Sequence, residues 1–227
     1  MEIKKAQFDQ KPSLVEFEGE IVRINFDIEE STVVLNKEGE AEAEDAEPAT
    51  RVIYLAHVIR VGHPLSLENI KEAVKELGFD EFKSEAVAAE ALLFLAQNGN
   101  AVGDPVELAK RLVTAKIDAY DQSDAVNQFI FNGVPMWLDK STRNGLIARI
   151  NAEKSMGKEE TTLWLGTQPF TLGTTECLDI LNSLEVYASE CFDKTAEHKS
   201  IILGLVDVES ILAYDYKAGY PTSPSFN

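Results

Sequence analysis

Cysteine is nearly missing from this chain: Cys177 and Cys191 are the two among 227 residues, too few for a disulfide framework. Their spacing of fourteen fits one face of a helix, so both read as buried core thiols. Histidine is equally sparse. His57, His63 and His198 have no second His or Cys at ligand spacing, so each reads as a surface or hydrogen-bonded residue and no metal is expected. His63 precedes Pro64, which biases its backbone towards the extended form that ends a strand. Long apolar runs are missing too, since none reaches the roughly 18 residues of a membrane span. The opening "MEIKKAQFDQKPSLVEFEGE" has neither the apolar stretch nor the small-residue cleavage site of a signal peptide. Synthesis in the cytoplasm without a membrane partner is the expectation.

Positive charge is in deficit as well. Twenty-one Lys and Arg against 39 Asp and Glu leave a formal charge of −18, which argues against direct binding to nucleic acid. The same surplus makes copies repel one another, so assembly requires specific packing or a basic partner. Catalytic signatures are equally short. Gly157-Lys158 has Ala152 where a phosphate-binding loop needs its first glycine, and Glu159 where Ser or Thr would hold magnesium. There is no His-Glu-x-x-His helix, no Gly-x-Ser-x-Gly elbow, no Cys-x-x-Cys pair and no dinucleotide-binding glycine pattern. The expectation is a protein without catalytic residues or cofactors.

What the chain does contain is the material of a globular core, with 44% hydrophobic and 26% charged residues. Val15 and Phe17, then Val22, Ile24, Phe26 and Ile28, recur at alternate positions around Gly19 and predict strand, turn and strand. The run from Asn36 to Thr50 sets six acidic residues against one lysine and offers nothing to bury. It reads as a solvated hairpin tip, with a weak cation site or a contact for a basic partner as sharper alternatives. "RVIYLAHVIRVG" has the β-branched content of one buried strand or two short ones. Ile70, Ala73, Val74 and Leu77 form a helical stripe, and "KSEAVAAEALLFLAQ" predicts a second helix stopped by "NGN". A third starts at Asp104, with Pro105 at the first helical position and Glu107 placed to close a capping box.

After Asp121 the pattern changes. Asn132-Gly133 predicts a two-residue hairpin turn, and Pro135 confines the returning strand to an edge. A helix from "DKSTRNGLIARINAEKSMG" and a second hairpin from "TTLWLGTQPFTLG" follow. Arg149 and Glu153 stand four apart as an ion pair. Trp137 and Trp164, on the flanking hairpins, are expected to clamp the helix through Leu146, Ile147 and Ile150. Cys177, Ile180, Leu181, Leu184, Tyr187, Ala188 and Cys191 make the clearest apolar stripe. Two short helices, around 201–205 and 208–214, lead to "YDYKAGYPTSPSFN", an extended tail carrying Tyr216 and Tyr220 that is expected to pack on something, a neighbouring subunit being one choice. The fold class is α+β. Residues 1–118 form a β-rich region with a small α/β unit, and residues 119–227 a mainly helical domain with two short hairpins.

The words "AYDQSDAVNQF", "NGVPMWLDKSTRNGL", "AEKSMGKEETTLW", "LEVYASECFDKTAEHK" and "YDYKAGYP" occur in one order between about Ala119 and Pro221. In that order they resemble the phage-associated family catalogued as domain of unknown function 4376. The resemblance implies a bacteriophage or prophage protein related to tail or tail-fibre components, present in several copies or as a homo-oligomer and meeting other virion proteins. It implies no catalytic residue. Trp137, Asp139, Arg143, Glu153, Lys154, Thr161, Thr162, Trp164 and Tyr187 match its words and stand as framework positions. Open hairpin edges and an aromatic tail suit docking. A tail or fibre adaptor in the virion, made in the cytoplasm of the bacterial host, is therefore the expectation. The alternative is a phage-encoded host-interaction factor or small enzyme outside the particle.

Overall fold

The computed structural model describes residues 4–34, 50–165 and 168–226. The expected acidic loop lies outside them except for Thr50, which begins a strand. The chain is α+β and divides into two compact units, Met1–Lys116 with Leu205–Ala213 and Ile117–Gly204 with Tyr214–Asn227. No helix among the described residues is long and apolar enough to cross a membrane.

In the first unit, β1 (Ala6–Phe8), β2 (Val15–Glu18), β3 (Ile21–Val34) and β4 (Thr50–Gly62) form an antiparallel sheet in the order β1-β4-β3-β2. Gly19, at φ 69°, turns β2 into β3, and alternation then buries Val22, Ile24 and Phe26. The expected alternation stops there. Asp27 takes φ 50°, and pairing moves from Phe26↔His57 to Glu29↔Leu55, so an extra residue bulges out and Ile28 leaves the buried row. Lys83 of helix α2 (Glu81–Gln97) holds the Asp27 carboxylate at 2.5 Å. The stretch read as one or two strands is the single strand β4.

Helix α1 (Leu67–Glu76) is capped by Ser66 and α2 by Asp80, whose side chains accept the N–H of Asn69 and Lys83. Ile70 and Val74 of α1 enter the core, and Phe79 meets Phe26 and His57 edge-on. Lys71 is also buried. Glu85 and Glu81 hold its ammonium and raise its pKa. Helix α3 (Pro105–Asp121) starts at Asp104 as expected, the Val106 N–H donating to its carboxylate; Glu107 pairs with Lys110 instead of closing a box.

The second unit is built on β5 (Phe129–Phe131), β6 (Val134–Met136), α4 (Lys140–Ser155), β7 (Glu160–Leu165), β8 (Gln168–Gly173) and α5 (Thr174–Gly204). Asn132 at φ 49° and Gly133 at φ 76° make the β5–β6 turn, as the Asn-Gly pair requires. Pro135 sits on β6, at the edge of a sheet ordered β6-β5-β9, so its missing N–H leaves no ladder bond unmade. Strand β9 (Ser225–Phe226) is the end of the tail, parallel to β5. Ile150, Leu163, Cys177 and Leu181 form one core, packed by Leu146 and Ile147. A second, around Phe129, Phe131 and Leu184, lies under the β5–β6 hairpin.

Two further expectations change. The short helix expected at 201–205 is the last turn of α5, which runs unbroken to Gly204; only α6 (Val208–Ala213) is separate. Trp164 does not clamp α4. Alternation along β7 turns Thr161 and Leu163 inward, leaving Trp164 67% exposed, while Trp137 packs with Val126, Tyr187 and Cys191. The tail, expected to pack on something, packs on its own unit: Ile130 and Asn132 N–H groups donate to Pro224 and Phe226 carbonyls, and Phe226 meets Phe129 edge-on.

These placements separate two substitutions that hydrophobicity alone would rank together. Leu181→Ala, which opens a cavity beside Ile150 and Cys177, is expected to cost about 2–5 kcal/mol. Trp164→Ala is expected to stay within about 0.5 kcal/mol. Urea unfolding of both variants measures the difference, and comparable losses would place Trp164 in the core after all.

Candidate functional site

The start of α4 fixes the site. Asp139 is its N-cap, the carboxylate accepting the Thr142 N–H at 2.9 Å and the Thr142 hydroxyl at 2.7 Å. Those bonds hold its pKa below the usual carboxylate value. With the helix beginning at Lys140, Lys140 and Arg143 lie three residues apart on one face. The Arg143 side chain is 4% exposed. Its Nε donates to Glu185 of α5 at 2.9 Å, Nη1 donates to the Leu138 carbonyl, and its central carbon lies 5.3 Å from the Trp137 ring centre.

Between these groups and α5 lies a cleft of about 380 Å³. Glu185, Ala188, Ser189 and Phe192 contribute one stripe of α5 to it, spaced 0, 3, 4 and 7. Trp137 and Lys140 line the α4 side, with Asp121, Asn127 and Asp193 among the rest of the lining. Phe192 is 70% exposed, a large apolar side chain left in water beside a charged hollow. The base of the cleft is stiffened by hydrogen bonds. Tyr187 donates its hydroxyl to the Val126 carbonyl at 2.8 Å, Thr195 donates to the Asp121 carboxylate at 2.7 Å, and Asn127 donates to the Asp121 carbonyl. Burial raises the pKa of both the Tyr187 hydroxyl and the Cys191 thiol. Cys191 therefore lines the cleft as a neutral thiol, and Cys177, pushed up to about 11, is likewise uncharged in its core.

Beyond the cleft, the tail is fastened to α5 by aromatic and polar contacts. Buried His198 meets the Tyr214 hydroxyl at 2.6 Å through Nδ1 and the Ala218 carbonyl at 3.0 Å through Nε2. The neutral imidazole satisfies both contacts when Nε2 donates to the carbonyl and Nδ1 accepts from the phenol. Tyr220 packs 5.2 Å from Tyr120, and its hydroxyl is 2.9 Å from that of Thr195. Tyr216 meets Tyr120 edge-on, with the Lys217 ammonium over both rings.

The residues marked out by sequence divide accordingly. Trp137 and Arg143 line the cleft, Asp139 caps the helix that begins beside it, Tyr187 bonds to Val126 of its lining, and Tyr216 and Tyr220 fasten the tail. Glu153 and Lys154 lie elsewhere, ten and eleven residues along α4 from Arg143, about 15 Å by helical rise. Lys154 donates to Thr175. The Arg149–Glu153 pair expected along the helix gives way to other partners: Arg149 donates to the Thr162 carbonyl at 3.1 Å, and Glu153 pairs with Lys158, its carboxyl held below the usual range by the nearby Thr161 hydroxyl and by Lys158. Sequence reasoning missed Asp121, Lys140, Glu185, Phe192 and Asp193. For Phe192 a signal existed, because it falls off the apolar stripe that ends at Cys191.

Among the described residues, no group of three or more His, Cys, Asp or Glu side chains is disposed to hold a metal ion. Comparison with protein-family models, with curated proteins and with solved structures finds no match for this chain.

The His198 contacts set a pH dependence. Burial lowers the pKa of this imidazole, outweighing the opposing pull of the Ala218 carbonyl. The unfolded chain takes up a proton below about pH 6.5, one that the folded chain resists. The contribution to stability is therefore complete above that pH and declines as pH falls through it towards the lower folded value. Urea midpoints at pH 7.5 and 5.5 are expected to differ more for the unaltered chain than for His198→Gln. Burial also lowers the His57 pKa, so part of the dependence should survive in the variant. Identical pH dependence in both chains would remove His198 as a source.

Proposed function

We propose that this chain is a structural component of a bacteriophage particle, a tail or fibre accessory or adaptor subunit that works by docking to other virion proteins. The observation that carries the docking reading is Phe192, 70% exposed at a cleft lined opposite by Trp137 and stiffened by the Arg143–Glu185 pair. Interfaces concentrate binding energy in aromatic and arginine anchors set in rigid surroundings, and an exposed aromatic beside a formed hollow offers such an anchor. Trp164 adds a second exposed aromatic on the same unit. The phage setting is supported by the ordered sequence words between Ala119 and Pro221.

Under this reading the high negative charge acts as a filter. It disfavours nucleic acid and other acidic chains and leaves partners that present basic or apolar surface. Trp137, Asp139, Arg143 and Tyr187 shape the docking surface, while Tyr216 and Tyr220 fasten the tail to its own unit. A host-interaction factor outside the particle could use the same cleft, and location separates the two.

Gradient-purified particles and the unbound lysate of the same infected cells, compared by quantitative mass spectrometry, test the reading. The chain is expected in the particles at a fixed ratio to other structural proteins. Recovery only from the lysate would overturn the virion assignment.

A further inference from the structure

The charges around the cleft are unequally available. Arg143 brings a guanidinium, but Glu185 meets its Nε, the Leu138 carbonyl its Nη1, and its central carbon sits over the Trp137 ring. At 4% exposure it has little cationic surface left to offer a guest. The lining charges that remain are Lys140 against Asp121 and Asp193, with Glu185 still one-third exposed beside its partner. Asp121 places its carboxylate in the wall, where it accepts hydrogen bonds from Thr195 and Gln122. Acidic character therefore prevails inside the cleft, and the field of a chain at −18 reinforces it. The open side is aromatic, through Phe192.

From this arrangement we propose that the cleft receives a basic side chain, foremost an arginine, presented by a partner protein. This rests on the docking reading and names the chemistry of its partner. An arginine suits the hollow for three reasons. Its aliphatic stem covers Phe192, its planar head stacks on an aromatic face, and its donors reach carboxylate oxygens supplied by Asp193 and Asp121. Lysine would gain the charge attraction but not the planar stacking. Acidic guests meet more carboxylates than Lys140 offsets, with no free guanidinium to receive them. A second copy of this chain is disfavoured by mutual repulsion unless it offers one of its few basic residues.

The test uses the full-length ¹⁵N-labelled chain and two small probes of matched shape, N-acetyl-argininamide and its uncharged counterpart N-acetyl-citrullinamide. The chain has two tryptophans, so the Trp137 indole N–H reports from the cleft and exposed Trp164 serves as a control on the same unit. Argininamide is expected to move the Trp137 signal saturably and leave Trp164 in place. Phe192→Ala and Asp193→Asn, both at exposed positions, are each expected to weaken binding about fivefold. Equal movement with citrullinamide, movement of both tryptophans together, or no saturable movement would overturn the cationic guest. Such a failure, with the chain still found in particles, would leave docking intact and remove only this partner chemistry. Saturable binding by a chain found only in lysate would keep the cleft chemistry and remove the virion role.

Discussion

Arg143 carries a charge into a place that water barely reaches, and the second unit is arranged to meet it. A buried guanidinium without partners would cost several kcal/mol, so its surroundings have to supply a carboxylate, a carbonyl and an aromatic face at once. Those come from three places: Glu185 on α5, the Leu138 carbonyl just before α4, and Trp137 just after β6. Meeting that one charge fixes α4 against α5 and settles where the hairpin returns. The cleft is the space left over, and its shape follows from the same contacts.

Much of this architecture was legible because the signals are local. Asp104 acts as a cap within three residues of itself, and Asn132-Gly133 with Pro135 encodes both a turn and an edge strand. Cys177, Leu181, Leu184, Tyr187 and Cys191 are buried along α5, as their spacing foretold. The departures arise where distant partners or strand parity decide. Asp27 breaks the β3 alternation and pairs with Lys83, 56 positions away. Trp164 turns outward because the inward places on β7 fall to Thr161 and Leu163. The partner of Arg143 lies 42 positions off, so no window of periodicity brings it into view.

The candidate site divides along the same line. Trp137, Asp139 and Arg143 were visible as a dense polar and aromatic group at the start of one helix. The wall facing them was not, because Glu185 and Phe192 belong to a helix whose obvious message is its buried stripe. The tail shows the limit from the other side. Its tyrosines and prolines marked a packed segment, but composition could not tell a neighbour's surface from its own. Hydrogen bonds from Ser223 to Gln128 and around His198 place it on the unit it belongs to.

The proposed docking role makes one demand that a free-standing factor would not: the side of the cleft now in water must be covered when the chain is assembled. Hydroxyl-radical footprinting of purified particles beside the isolated chain reads this at Phe192 itself, since aromatic side chains are oxidised according to their access to solvent. The account predicts clear protection of Phe192 in the particle. A Phe192 oxidised as readily in the particle as in the isolated chain would contradict it.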